Sequence, residues 1–193
     1  MKATVIVHSV SGNTFLLGRK IHETLSEKGI AASFYRVPDE DAQNLTFLFP
    51  HIATMLPLIE KLPLVSPETL LESDIIFLGS PTYFGNMSGE MKSFLDSTGI
   101  YWPEAKLRGK RMLAFTTAGT AEGGAHLCLQ ALTTYGLHMG MSPLSVPMHL
   151  PLPKVMPSYG IVAYSGGQSD LPPEESALES VEQIIQWIVE KHL

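Results

Sequence analysis

Short apolar, β-rich runs alternate along the chain with longer runs whose apolar residues recur every three or four positions. Few folds accept that pattern. A strand that is apolar at every position has to be covered on both faces, and a helix between successive strands supplies the cover. The pattern therefore specifies a parallel sheet between two helical layers. Strands are expected at residues 3–8, 32–37, 74–79 and 111–117. Helices are expected at 14–28, 67–72, 88–96, 122–135 and 174–192. In the first helix Leu17, Ile21 and Leu25 keep one buried face, and Gly29 stops it. In the last, Ala177, Val181, Ile184, Ile185 and Ile188 do the same. A fifth strand reads as split into 139–146 and 160–164, because Pro147, Pro151, Pro153 and Pro157 between them cannot serve a central ladder.

Bulk properties narrow the class. At 193 residues the chain can bury one core, so a single domain over 1–193 is expected. A net charge of −6, with Lys and Arg scattered, gives no reason to approach nucleic acid. The lone Cys128 cannot form an intrachain disulfide, and residues 1–4 run into a strand rather than a signal peptide; a cytoplasmic setting fits. The greasiest stretch, 45–65, is a poor membrane span. Pro50, Pro57 and Pro63 would break it, and His51, Glu60 and Lys61 would enter hydrocarbon. The segment suits a subunit contact, a lid, or a locally buried irregular stretch.

Open parallel sheets place ligands at the carboxyl ends of their strands. After the first strand, Ser9-Val10-Ser11-Gly12-Asn13-Thr14 offers hydroxyls, an amide and a turn glycine at a helix N-terminus, which suits a phosphate. It lacks the Gly-Lys-Ser/Thr of a triphosphate loop and the three glycines of a dinucleotide fingerprint, so a phosphomonoester fits better. An ordinary capped turn would read the same way. After the third strand comes Pro81-Thr82-Tyr83-Phe84-Gly85-Asn86, whose aromatic pair suits a flat ring. Phe84 taken alone reads as a plug for the sheet end. After the fourth, Thr116-Thr117-Ala118-Gly119-Thr120-Ala121-Glu122 can aim backbone N–H groups at a carbonyl-rich ring edge. His8 reads as a strand-end residue, and His126, His138 and His149 show no metal-ligand spacing, so no metal is assigned. Cys128 lies in an apolar helical stretch and reads as buried.

Ser9-x-Ser11-Gly12-Asn13-Thr14 resembles the phosphate loop of flavodoxins. The run from Pro81 through Asp96, followed by Thr98-Gly99 and Trp102, is similar to the WrbA-type NAD(P)H:quinone oxidoreductases. With the glycine-rich loop at 116–124 and Tyr159-Gly160 leading to Gly166-Gly167, the resemblance runs in order over nearly the whole chain. It implies a flavodoxin-like, doubly wound five-stranded parallel sheet of order 2-1-3-4-5, with helices on both faces and the fifth strand split by an insertion. It implies FMN held non-covalently in one domain: phosphate on Ser9 through Thr14, ring bordered by Thr82, Tyr83 and Phe84, other edge lined by Thr117 through Glu122. It also implies NADH or NADPH as donor, a quinone-like acceptor, ping-pong turnover and a homo-oligomer, dimer or tetramer. Trp102 would close the substrate pocket, often from a neighbouring subunit, with Tyr83 and Tyr135 beside the substrate. Two positions depart from the family, Tyr83 for its usual arginine and Thr134-Tyr135 for its usual histidine pair. The resemblance leaves two other readings of the fold: a flavodoxin-type electron carrier and a flavin-free binding module.

Overall fold

The computed structural model of the chain describes residues 1–46 and 52–193. Phe49, Pro50 and His51 lie outside the described residues. The strands are β1 (Lys2–Val7), β2 (Ala31–Arg36), β3 (Ile75–Pro81), β4 (Arg111–Ala118), β5 (Ser142–Pro143) and β6 (Ile161–Tyr164). The helices are α1 (Asn13–Glu27), α2 (Ala42–Leu45), α3 (Ile52–Ile59), α4 (Pro67–Leu71), α5 (Gly89–Ser97), α6 (Ala125–His138) and α7 (Glu175–His192), with a 3₁₀ turn at Thr98–Tyr101 after α5. All strand pairs are parallel, in the order β2-β1-β3-β4-β5, with β6 also on β4. This is the doubly wound flavodoxin-like sheet read from the sequence.

The split fifth strand takes a specific form. Ser142 and Pro143 pair with Arg111 and Met112 at the start of β4, and Ile161 to Tyr164 pair with Phe115 to Ala118 at its end. Residues 144–160 leave the edge and return to it. Pro143 is tolerated because its neighbours make the ladder bonds, Ser142 N to Lys110 O at 2.8 Å and Leu144 N to Met112 O at 2.8 Å, so the donor that proline lacks is not needed there.

Strand alternation divides the core. Val5, Val7, Phe77, Leu113 and Phe115 face α1 and α7, while Ile6, Leu78, Met112 and Ala114 face α5 and α6. Phe115 is fully buried, and a Cβ on Gly79 would lie 2.1 Å from its ring; the glycine is the space that the phenyl fills. Cys128 is buried as read, its Sγ 3.4 Å from Thr116 Oγ1, and burial raises its thiol pKa.

The 45–65 segment is more regular than its prolines suggest. It carries the end of α2 and the whole of α3, with Pro57 inside the latter. Eight residues need few interior hydrogen bonds, so one missing donor near the end is tolerated. Val10, Ala42, Ile52 and Leu56 form a small cluster over the β1–α1 loop. Among the described residues no helix is long and apolar enough to cross a membrane.

Candidate functional site

The loops after β1, β3, β4 and β6 meet at the carboxyl edge of the sheet and enclose a cleft of about 580 Å³. That lies within the range of about 300–1,000 Å³ usual for small-molecule sites. Its described lining contains no charged side chain.

The β1–α1 loop supplies the floor. Gly12 holds a left-handed φ of 96°, and a Cβ there would fall 2.6 Å from Met55 of α3, so no other residue fits without displacing α3. The loop's side chains are largely engaged within the fold. Ser9 Oγ accepts from Phe15 N at 3.1 Å, Thr14 Oγ1 meets Thr117 Oγ1 at 2.7 Å, and Asn13 Nδ2 donates to Ser169 O at 2.9 Å and to Ser11 Oγ at 3.2 Å. The backbone is free instead: the N–H groups of Val10, Ser11, Gly12, Asn13 and Thr14 take no acceptor among the described residues. Such a run of unsatisfied donors at a helix N-terminus has the character of an anion cradle.

The turn after β3 works differently. Tyr83 N donates to Asn86 O at 2.9 Å and Asn86 N to Tyr83 O at 3.0 Å, closing a tight turn with Phe84 and Gly85 at φ 52° and 75°. Positive φ is natural for glycine and costly for phenylalanine. Phe84 is fully exposed and lines the cleft, so it does not plug the sheet end; the turn directs its ring outward before it can reach the core. Tyr83 lines the same wall, and its phenol pKa is pushed up to about 12, first by burial and then by the charges of Glu90 and Asp39. Thr82 anchors the turn through Oγ1 to Thr116 Oγ1 at 2.8 Å and N to Thr117 O at 2.7 Å.

Of the residues singled out in the sequence, Val10, Ser11, Thr14, Pro81, Thr82, Tyr83, Phe84, Thr117, Ala118 and Gly119 line the cleft. Thr116 turns its hydroxyl to Ser80 O at 2.7 Å and acts from behind. Ser9, Gly12, Asn13, Gly85 and Asn86 shape the loops, and Thr120, Ala121 and Glu122 do not reach the lining. Trp102 and Tyr135 also lie off it. Trp102 is exposed after the 3₁₀ turn, and Tyr135, near the carboxyl end of α6, shares a 2.7 Å hydrogen bond with Thr98.

Sequence reasoning missed Ser165, Gly167, Gln168 and Ser169 after β6, and Leu45 and Ile52 from the 45–65 segment, all of which line the cleft. The first group had a signal: every loop after a parallel strand opens on the same edge, and Gly166-Gly167 follows the last one. For the second, the lid reading of 45–65 anticipated the segment but not the residues, since an apolar residue in an irregular stretch has no periodicity to place it.

Residues 1–149 match the family described as NADPH-dependent FMN reductase. An NAD(P)H dehydrogenase (quinone) of Archaeoglobus fulgidus is 30% identical, covering 96% of this chain and 94% of that protein. One from Chromohalobacter salexigens is 33% identical, covering 92% and 90%. Among solved structures, a WrbA-like flavodoxin from Agrobacterium tumefaciens superposes with a TM-score of 0.62 at 19% identity, covering 98% of each chain. Oxidised flavodoxin 2 from Bacillus cereus gives 0.64 at 19%, covering 99% of each.

Proposed function

The chain belongs to the NADPH-dependent FMN reductase family, and from that premise we propose that it is an FMN-dependent oxidoreductase carrying two electrons from NADH or NADPH to a quinone-like acceptor. One observation carries the cofactor assignment. The N–H groups of residues 10–14, unsatisfied among the described residues, stand at the floor of a cleft whose described lining carries no charge. A phosphate dianion there is met by backbone dipoles rather than by lysine or arginine, which suits a phosphomonoester.

The other residues then have definite tasks. Ser11 and Thr14 border the phosphate. Thr117 to Gly119, Ser165 and Gly167 to Ser169 line the cleft, and Tyr83 and Phe84 flank the ring system. Tyr83, its phenol pKa pushed up to about 12 by burial, presents a neutral hydroxyl beside the ring. Bound FMN supplies the electron chemistry; the protein supplies position and a cleft whose described lining is uncharged. An open cleft able to admit donor and acceptor in turn supports ping-pong turnover and a single FMN-binding unit over 1–193, and the lone, unpaired cysteine supports a cytoplasmic reaction. The exposed Ile100 and Trp102 support a homo-oligomer in which Trp102 approaches a neighbour's cleft.

The test is the visible spectrum of the purified chain with FMN, before and after anaerobic NADH or NADPH. Bound flavin that a nicotinamide bleaches and benzoquinone recolours is the expected result. Flavin that no nicotinamide reduces would make the chain an electron carrier, and no bound flavin would make it a binding module. Parallel initial-rate lines are expected for ping-pong turnover; intersecting lines would exclude it.

A further inference from the structure

A second cleft, of about 510 Å³, opens between the stretch after β2 and the start of α5. Its described lining holds four carboxylates, Asp39, Glu40, Asp41 and Glu90, and no lysine or arginine. Glu40 and Asp41 are exposed and solvated, which leaves the partly buried pair, Asp39 and Glu90, as the charges that weigh.

His8 reaches two of these carboxylates from the end of β1. Its side chain is 2% exposed, against 10% for Asp39 and 37% for Glu90. Nε2 lies 3.0 Å from Asp39 Oδ2, whereas Nδ1 lies 3.8 Å from Glu90 Oε2, too far for a hydrogen bond, and has no other partner among the described residues. A buried imidazole nitrogen left unsatisfied and turned toward a carboxylate calls for an explanation. The three residues can each offer a ligand atom with all three atoms within 4.8 Å of one another.

We propose that His8 Nδ1 and Glu90 bind a divalent transition-metal ion of the Zn²⁺ class, at a site separate from the FMN cleft, with Asp39 accepting from His8 Nε2–H and fixing the ring. The imidazole selects against Mg²⁺ and Ca²⁺, which take all-oxygen shells, and the carboxylate selects against thiophilic ions. Bonds of about 2.0–2.2 Å place ligand atoms somewhat closer than they stand here, and the half-exposed Glu90 is the residue able to close that gap. The acidic cleft gives the entry path and leaves the remaining positions to water. Bound there, the ion ties the end of β1 to the first turn of α5 and offsets the negative charge beside Tyr83.

The experiment is calorimetric titration of the FMN-loaded full chain, stripped with EDTA, with ZnCl₂. One ion per chain at micromolar Kd or tighter is expected, with a rise in Tm. Glu90→Gln, at a partly exposed position in the first turn of α5, should weaken binding by about tenfold or more and abolish the Tm rise, and His8→Gln should do the same. No saturable binding by the parent chain would overturn the site. So would Glu90→Gln and Asp39→Asn variants that take up Zn²⁺ as the parent does.

Discussion

The two walls of the cleft proposed to hold FMN are built on opposite principles. The β1–α1 loop invests its side chains in the fold and presents its backbone, with Thr14 bound to Thr117, Asn13 to Ser169 and Ser9 to the start of α1. The 82–86 turn ties up its backbone and presents its side chains, Tyr83 and Phe84, at the cost of a phenylalanine in left-handed geometry. A site that must hold a small dianion and a large flat ring needs both solutions. Amide dipoles suit concentrated charge, and an aromatic face suits a ring. Stability and binding are therefore joined in the first wall and separable in the second.

The largest effect that could break this contrast is at Gly12. Gly12→Ala puts a Cβ into Met55 and into a φ of 96°, and should cost about 1–3 kcal/mol of stability while abolishing FMN retention on gel filtration. FMN retained by a folded variant would mean that the amides are not the anchor. Thr14→Val comes next. It strands the buried Thr117 hydroxyl, so denaturant unfolding should show a loss of about 1–2 kcal/mol and flavin fluorescence roughly tenfold weaker FMN binding, the two moving together. At Phe84 they should part. Phe84→Gly relieves the strained φ and removes only an exposed ring, so stability should rise by about 0.5–1 kcal/mol while FMN affinity or acceptor KM worsens. A loss of stability there would show the ring to be structural.

The contrast also explains what the sequence could and could not reveal. Local, periodic features were legible: the strands from their apolar runs, α1 and α7 from single buried faces, the split fifth strand from its prolines, the turn that opens α1 from its glycine and polar residues. What escaped depends on distant residues meeting. Asn13 finds Ser169 across 156 positions, and His8 finds Asp39 across 31, which no spacing rule anticipates. The outward Phe84 escaped because its orientation follows from two successive positive φ values, and only Gly85 announces one of them. α3 escaped because Pro57 argues against a helix in any local reading, although a turn near the end of a short helix absorbs it.

The smallest expected effect isolates the second wall's chemistry. Burial holds the Tyr83 phenol neutral to a pKa of about 12, above its ordinary value of 10. Between those values the unfolded chain releases a proton that the folded chain keeps, so Tyr83 contributes stability that is fully present below pH 10 and lost as pH rises toward 12. Tyr83→Phe should therefore leave the pH profile of NAD(P)H oxidation unchanged in shape between pH 6 and 9, on the order of the range safely below that value. It should also flatten part of the alkaline fall in Tm. The flattening should be slight, because the ring is half-exposed and solvent screens it, and because Tyr135, raised to about 12 by burial, contributes its own alkaline loss in both proteins. A shifted activity profile in Tyr83→Phe would instead make this phenol a proton donor, and the second wall would then act through chemistry as well as shape.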